Sequence, residues 1–382
     1  MNSRETIDIA FVGCGYVADY YVATLAGYPW LRIAGVFDID QQRLEAFSTY
    51  YGLKPYESMP QLLSDRSVKM VVNLTNPRSH YEVSRQCLEA GKHVYSEKPL
   101  AMDYDSACEL VEMAEKRSLE ISTAPCSLLG NLAQTLWKSV RDEVVGDVHL
   151  VYAELDDGMV HQMPFKKWVS ESGAPWPYRD EFEVGCTVEH AGYYLSWLVA
   201  MFGPVETVTA FSTCLIKTKV ADEILDPPDT ADFSVGLLKF RNGVIARLTT
   251  SIVAPHDHSL KIVGDKGLLE VDDCWQNDAK VYVRKQLRLR RKLFMSPFRQ
   301  AVKNPSKPLI KVPKTGGNRM DYALGIAELA KAIQGSRMPR LSARFSLHVT
   351  EVALALQQAG IKAETYHVKS TFNPIEPMDW AR

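Results

Sequence analysis

Along the first third of the chain, short apolar runs alternate with stretches of helical period. Ile7–Val12 is a mostly apolar, β-rich run ending at Gly13, the pattern of a strand buried between helices in a parallel sheet. A helix is expected to follow to about Ala26. Residues 31–38 repeat the strand signal, and Gln41–Tyr50 then carries Leu44, Ala46 and Phe47 at helical spacing. Further strands are predicted over Met70–Leu74, His93–Tyr95 and Glu120–Ala124. The helices between them run from about Ser79 to Ala90, with Gly91 as the breaker, and from Tyr104 to Lys116, where Ala107, Leu110, Val111 and Ala114 share a face. Such alternation predicts a parallel sheet with right-handed crossovers that closes near Pro125.

After about residue 145 the period changes to that of strands. Phe233–Phe240 and Val244–Leu248 flank Arg241-Asn242-Gly243, and Asn-Gly between two such runs is a strong hairpin signal. Lys261–Gly264 and Gly267–Val271 read as a second hairpin. The last helices are expected at Tyr322–Gln334 and Phe345–Gln358, the second stopped by Gly360. Their apolar faces need a surface, and the nearest candidate is the N-terminal domain. The fold class is therefore α/β over residues 1–125, followed by an α+β domain over 126–382 with a large, open, mostly antiparallel sheet.

Composition narrows the function classes. With 382 residues, 46% of them hydrophobic and 24% charged, the chain can bury two cores. A net charge of -2 gives no global attraction to nucleic acid or to anionic membranes. Residues 1–6 lead straight into the first strand, and no apolar run is long enough to span a bilayer. The seven cysteines are scattered without a C-x-x-C, which argues against a disulfide framework and for a reducing, cytoplasmic location.

Gly13-Cys14-Gly15-Tyr16-Val17-Ala18 is a G-x-G-x-x-A turn between the first strand and the first helix. In that position the glycines let the backbone approach a pyrophosphate, and the helix N-terminus supplies unpaired N–H groups and a favourable dipole. Asp38 ends the second strand at the spacing from which a carboxylate accepts hydrogen bonds from an adenosine ribose. Residues 1–125 thus read as a Rossmann domain that takes NAD through Gly13, Gly15, Tyr16, Val17 and Asp38. Asp38 repels a 2′-phosphate, which favours NAD over NADP, and Arg43 nearby moderates that repulsion.

Ala90-Gly91-Lys92-His93-Val94-Tyr95-Ser96-Glu97-Lys98-Pro99-Leu100-Ala101 resembles the signature of the Gfo/Idh/MocA family, whose core is Glu-Lys-Pro after a G-K-H-V strand. Asn76-Pro77-Arg78-Ser79-His80 is similar to that family's loop after its fourth strand, and the resemblance covers essentially residues 7–125. It implies that Lys98 lies beside the nicotinamide and the substrate hydroxyl, that Glu97, Asn76 and His80 touch the cofactor, and that Pro99 shapes the turn, with a cis bond as one way. An ammonium beside a cationic nicotinamide has its proton affinity lowered, which suits a group that takes a hydroxyl proton.

The segment Glu183–Trp197 looks like the family's Asp-x-x-x-His stretch opening a helix, which makes His190 the second catalytic candidate. Cys186 occupies the aspartate position, so Glu183 or Glu189 is expected to orient the histidine. Tyr193, one turn later, is a candidate substrate contact or plain core. Trp176, in the aromatic loop before the helix, is a sugar platform or surface packing.

No metal is expected: His256-x-His258 with Asp257, and the isolated His161, match no ligand spacing. From Lys280 to Arg319 the chain carries Arg284, Lys285, Arg288, Arg290, Arg291, Lys292, Arg299 and Lys303 without an acidic residue. This segment reads as solvated surface or an oligomer arm, as a holder of sugar-nucleotide phosphates, or as a membrane-surface contact. The expected function is hydride transfer between NAD(P) and a secondary hydroxyl or ketone of a sugar, polyol or sugar derivative. Transient-redox glycoside cleavage or epimerisation, and a nucleotide-binding regulator without turnover, are the alternatives. The partners expected are a small carbohydrate and further copies of the chain, a homodimer or homotetramer joined through the C-terminal sheet.

Overall fold

A computed structural model describes residues 6–303 and 319–382. The first five residues and positions 304–318 of the basic segment lie outside the described residues. The chain divides into two compact units, neither continuous in sequence. The first comprises the chain up to Cys126 with Pro164–Glu181 and Asp321–Thr350; the second comprises Ser127–Met163, Phe182–Met320 and Glu351–Arg382.

The first unit is built on a five-stranded parallel sheet. Its strands are β1 (Ile7–Val12), β2 (Leu31–Phe37), β3 (Val68–Asn73), β4 (His93–Ser96) and β5 (Ile121–Thr123), in the order β2-β1-β3-β4-β5. Every residue of β1 is buried, as its mostly apolar run requires of a central parallel strand, and its one charged residue, Asp8, pairs with Arg32 at 2.6 Å. The helices are α1 (Tyr16–Leu25), α2 (Gln41–Tyr51), α3 (Met59–Ser64), α4 (His80–Glu89) and α5 (Tyr104–Arg117). Local chemistry sets their starts: Asp40 accepts from the N–H groups of Gln42 and Arg43 at α2, and Asp103 from that of Ser106 at α5. Leu110, Val111 and Ala114 pack with Val71, Val94 and Ile121 in one core.

Part of this unit comes from late in the chain. The Tyr28 hydroxyl donates to Asp321 Oδ2 at 2.6 Å, and Ala323 N–H, at the start of the helix Ala323–Gln334, donates to Thr24 Oγ1 at 3.0 Å. Burial pushes the Asp321 carboxyl up to about 6, against the bonds from Tyr28 and from the N–H groups of Leu324 and Ala323. The folded protein therefore holds this proton more tightly than the unfolded chain, so stability falls between about pH 4 and pH 6 and the whole cost stands above that. Asp321→Asn removes that cost. In melts at pH 4.5 and pH 7.5, the variant should gain on the wild type with rising pH by roughly 2 kcal/mol; parallel stabilities would refute the assignment.

The second unit holds a ten-stranded sheet. β6 (Val148–Asp156), β7 (Val205–Thr213), β8 (Phe233–Phe240), β9 (Ile245–Ser251), β10 (Leu260–Gly264), β11 (Gly267–Val271), β12 (Val281–Leu289), β13 (Lys292–Met295) and β15 (Thr365–His367) form the path β13-β12-β11-β10-β6-β9-β8-β7-β15, and β14 (Gln300–Ala301) pairs with β12. Both expected hairpins form, with Lys239 opposite Ile245 and Gly264 opposite Gly267. The sheet is antiparallel except where β6 runs parallel to β9. The helices α6 (Asn131–Arg141), α7 (Tyr178–Val184), α8 (Cys186–His190) and α9 (Gly192–Phe202) precede β7; α7 runs from the first unit into the second.

Gly360 does not stop the last helix. α10 is Ala323–Gln334, and α11 runs from Ala343 to Lys362. A Cβ on Gly360 would stand 2.3 Å from Ser212 Oγ and 2.7 Å from Ser212 N, so the glycine lets the helix lie close on β7.

The basic segment forms the β12–β13 hairpin at the sheet edge and turns at Arg290 (φ 56°). Arg284 pairs with Glu270 at 2.6 Å and Arg299 with Asp272 at 2.7 Å, while Leu289, Leu293 and Phe298 are exposed. Among the described residues no helix is long and apolar enough to cross a membrane.

Candidate active site

In the first unit the fingerprint turn is fixed by backbone contacts. Gly13 adopts φ 97°, and a Cβ there would lie 2.6 Å from the carbonyl carbon and oxygen of Leu74 and 2.8 Å from Thr75 N. Gly15 is the N-cap of α1, and no side chain caps that helix. A Cβ on Gly15 would meet nothing within 4 Å. An uncapped ten-residue helix behind an open glycine fits a pyrophosphate, whose oxygens would take the first-turn N–H groups beside Tyr16 and Val17.

Asp38 is buried at the end of β2. Its Oδ2 accepts from Cys14 N and its Oδ1 from Asp40 N, each at 2.8 Å, and Arg43 binds it through Nε at 2.9 Å and Nη2 at 3.1 Å. Its charge is thus already met by a guanidinium. Burial, then Asp38, pushes the Cys14 thiol above its ordinary range, so Cys14 stays protonated.

Around Lys98 the chain is tied in from both sides. Glu97 is buried: its Oε1 accepts from the Tyr21 hydroxyl at 2.6 Å, its Oε2 from the Lys98 N–H at 3.2 Å, and its own N–H donates to Asn73 O at 2.8 Å. The Lys98–Pro99 bond is cis. Tyr21, whose link to Glu97 carries no local sequence signal, also lies edge-on to Tyr95 at 6.2 Å.

His80, expected at the cofactor, is 1% exposed, with Nδ1 2.8 Å from Pro99 O and Nε2 2.9 Å from Thr75 O. Both ring nitrogens face backbone carbonyls, so the ring ties the loop after β3 to the loop after β4. Asn76 is exposed, and its Oδ1 accepts from Ser79 N at 3.1 Å. Trp176, also in this unit, packs 4.9 Å from Trp168 and 6.3 Å from Phe165.

His190 and Tyr193 belong to the second unit. His190 Nδ1 pairs with Asp157 Oδ2, so the carboxylate comes from the end of β6 rather than from Glu183 or Glu189. Cys186 is buried with its Sγ 3.9 Å from the carbonyl oxygens of Ala231 and Thr250. A carboxylate at that position would face two carbonyl oxygens, an environment that repels it.

Pairing at the sheet places Asp157. The backbones of Asp156 and Asp257 exchange hydrogen bonds at 3.0 and 2.9 Å, and Asp157 N donates to Ser251 O at 2.9 Å. The other oxygen of Asp157 then faces His258 Nε2 at 2.5 Å, a partner 101 residues away in sequence. His258 is fully buried, and its Nδ1 stands 3.4 Å from Asp273 Oδ1. Asp273 Oδ1 also accepts from Trp275 N at 2.8 Å. The Trp275 indole lies 4.3 Å from the His258 ring, 5.5 Å from Tyr193 and 6.0 Å from His190.

Donor atoms of Asp157, His256 and His258 lie within 4.8 Å of one another, as do those of His258, Asp273 and Cys274. The 2.5 Å between Asp157 and His258 is a direct hydrogen bond. Two ligands of one zinc at about 2.1 Å would stand roughly 3.3 Å apart. Burial, then Asp273, holds the Cys274 thiol well above its ordinary pKa, which makes it a poor ligand. The cluster is a hydrogen-bonded network of imidazoles and carboxylates. Asp257 is turned to its own loop and accepts from Ser259 N at 2.9 Å; His161 lies beside Gln162.

Residues 7–124 match a model described as an oxidoreductase family with an NAD-binding Rossmann fold, and residues 133–270 match the GFO/IDH/MocA C-terminal domain. The myo-inositol 2-dehydrogenase of Thermotoga maritima is 22% identical over 321 residues, covering 81% of this chain and 88% of that protein. A putative NADPH-dependent oxidoreductase from Desulfitobacterium hafniense shares the fold at a TM-score of 0.76 and 18% identity, over 95% of this chain and 98% of that one. The WlbA dehydrogenase of Chromobacterium violaceum, solved with NADH and UDP-GlcNAcA, does so at a TM-score of 0.72 and 20% identity, over 97% and 98%.

Proposed function

Since this chain belongs to the Gfo/Idh/MocA family and is an NAD(P)-dependent oxidoreductase, we propose that it moves a hydride between NAD and a secondary hydroxyl of a sugar, polyol or sugar derivative, sugar nucleotides included. The observation that carries the reading is the Asp157 carboxylate on His190 Nδ1. The regulator alternative drew on Cys186 standing where the family has its aspartate, and a carboxylate supplied from β6 removes that motive. The names of relatives support the substrate class: one is an inositol dehydrogenase, another was solved with a sugar nucleotide.

Bound NAD(P) supplies the hydride acceptor or donor. Gly13, Gly15, Tyr16 and Val17 receive its pyrophosphate at the start of α1, Asp38 receives the adenosine ribose, and Asn76 and Glu97 flank the nicotinamide half. Arg43 on Asp38 softens the bias against a 2′-phosphate without reversing it. Lys98 binds the reacting oxygen and exchanges its proton. His190, with Nδ1 held by Asp157, offers Nε2 as orienting group and proton partner for a substrate hydroxyl. Tyr193 and Trp176 are each offered as a sugar contact within their own unit.

The reading is tested by nicotinamide absorbance with NAD or NADP and a panel of sugars, polyols, uronates and sugar nucleotides. Turnover should appear with at least one of these compounds, faster with NAD than with NADP. Silence across the panel while NAD still binds would remove the reading.

A further inference from the structure

We propose that His258 is a positioning residue for His190, acting through the carboxylate that the two imidazoles share; this rests on the reading of His190 as a group that handles the substrate proton. A carboxylate can turn about its last side-chain bond, and an imidazole held by one oxygen alone turns with it. Here both oxygens of Asp157 are used: Oδ2 pairs with His190 Nδ1, and Oδ1 meets His258 Nε2 at 2.5 Å. With Nδ1–H of His190 given to Asp157, its Nε2 carries the lone pair that a hydroxyl proton needs.

His258 is itself immobilised on every side. The Tyr194 hydroxyl donates to its carbonyl at 2.5 Å, its Nδ1 faces Asp273 at 3.4 Å, and the His256 ring lies 4.1 Å away. Trp275 closes the circuit: its N–H holds Asp273 Oδ1, while its indole touches His258, Tyr193 and His190. The path His190–Asp157–His258–Asp273–Trp275 thus returns to His190, and the orientation of the histidine is fixed by residues far from it in sequence. Groups linked in one such network act as a unit, so removing a second member costs little once the first is gone.

The experiment is a double-mutant cycle on the full chain, with NAD and whichever substrate the panel identifies. His258→Ala should lower kcat roughly 10- to 100-fold and leave the KM for NAD unchanged. Asp157→Asn should lower it at least as far, and the double variant should be no slower than Asp157→Asn alone. His258→Gln, whose amide N–H reaches the same oxygen, should recover part of the loss. An unchanged kcat in His258→Ala, or two losses that simply multiply, would overturn the proposal.

Side-chain 1H–15N correlation spectra give a readout free of activity: His190 should show a single Nδ1–H tautomer in the wild type and a mixture in His258→Ala. Should His190→Asn turn over normally, the proton-handling reading fails, and the spectra alone then decide the positioning role. One zinc per chain in the isolated protein, lost in His258→Ala, would also overturn it.

Discussion

Lys98→Ala should reduce kcat/KM by about 10²- to 10⁴-fold, the range over which a positioned acid or base contributes to a transition state. The substitution is confined. The backbone of residue 98 is held by the Glu97 carboxylate, and Glu97 by Tyr21 and Asn73, so the alanine variant keeps its loop and loses only the ammonium and its stem. Lys98→Arg separates two roles. A guanidinium keeps the charge that holds an oxygen but does not give up its proton at working pH, so turnover should stay low in Lys98→Arg as well. Full activity in the arginine variant would reduce Lys98 to a binding charge; full activity in both would remove it from the mechanism. NAD binding, followed by protein fluorescence, should persist in each.

Gly13→Val is expected to have the largest effect on the cofactor and on the fold together. The backbone φ of 97° disfavours any side chain, and the added Cβ would be driven to 2.6 Å from the Leu74 carbonyl on the neighbouring strand end. Backbone does not yield as a flexible side chain does. Strain and overpacking together should cost on the order of 3 kcal/mol. Over a unit of this size that corresponds to a fall in Tm of roughly 10 °C. Because the same turn must approach the pyrophosphate, NAD binding should be lost even where folding survives. A variant with wild-type Tm and NAD affinity would refute the assignment of this turn.

Much of the architecture was legible because it is locally encoded. The apolar runs of β1 to β5, the Asn-Gly turn between β8 and β9, and the G-x-G-x-x-A turn each carry their signal within a dozen residues. What the sequence hid is non-local. Asp157 follows a strand that runs parallel to β9, and nothing near it announces His190 or a histidine 101 positions later. Around Cys186 the sequence displays only the nearby Glu183 and Glu189, because separation along the chain is all it shows. His256 and His258 match no motif spacing, and it is the fold that brings His258 to Asp157. Gly360 has the propensity of a breaker, whereas packing on Ser212 overrides that preference inside a long helix. The backbone carbonyls that meet the nitrogens of His80 likewise leave no trace in sequence.

The first unit's dependence on late chain has a consequence in time. The Leu100 N–H is bonded to Thr350 Oγ1 and the Thr123 N–H to Ser346 Oγ, and both are buried. During synthesis these donors emerge more than 200 residues before their acceptors. At about 5–20 residues per second that is an interval of roughly 10 to 50 seconds. For that period the parallel sheet is on the ribosome with buried-type N–H groups unmet and without α10, whose buried face it will later share. The nucleotide-binding half of the molecule is thus finished only once synthesis has passed Thr350.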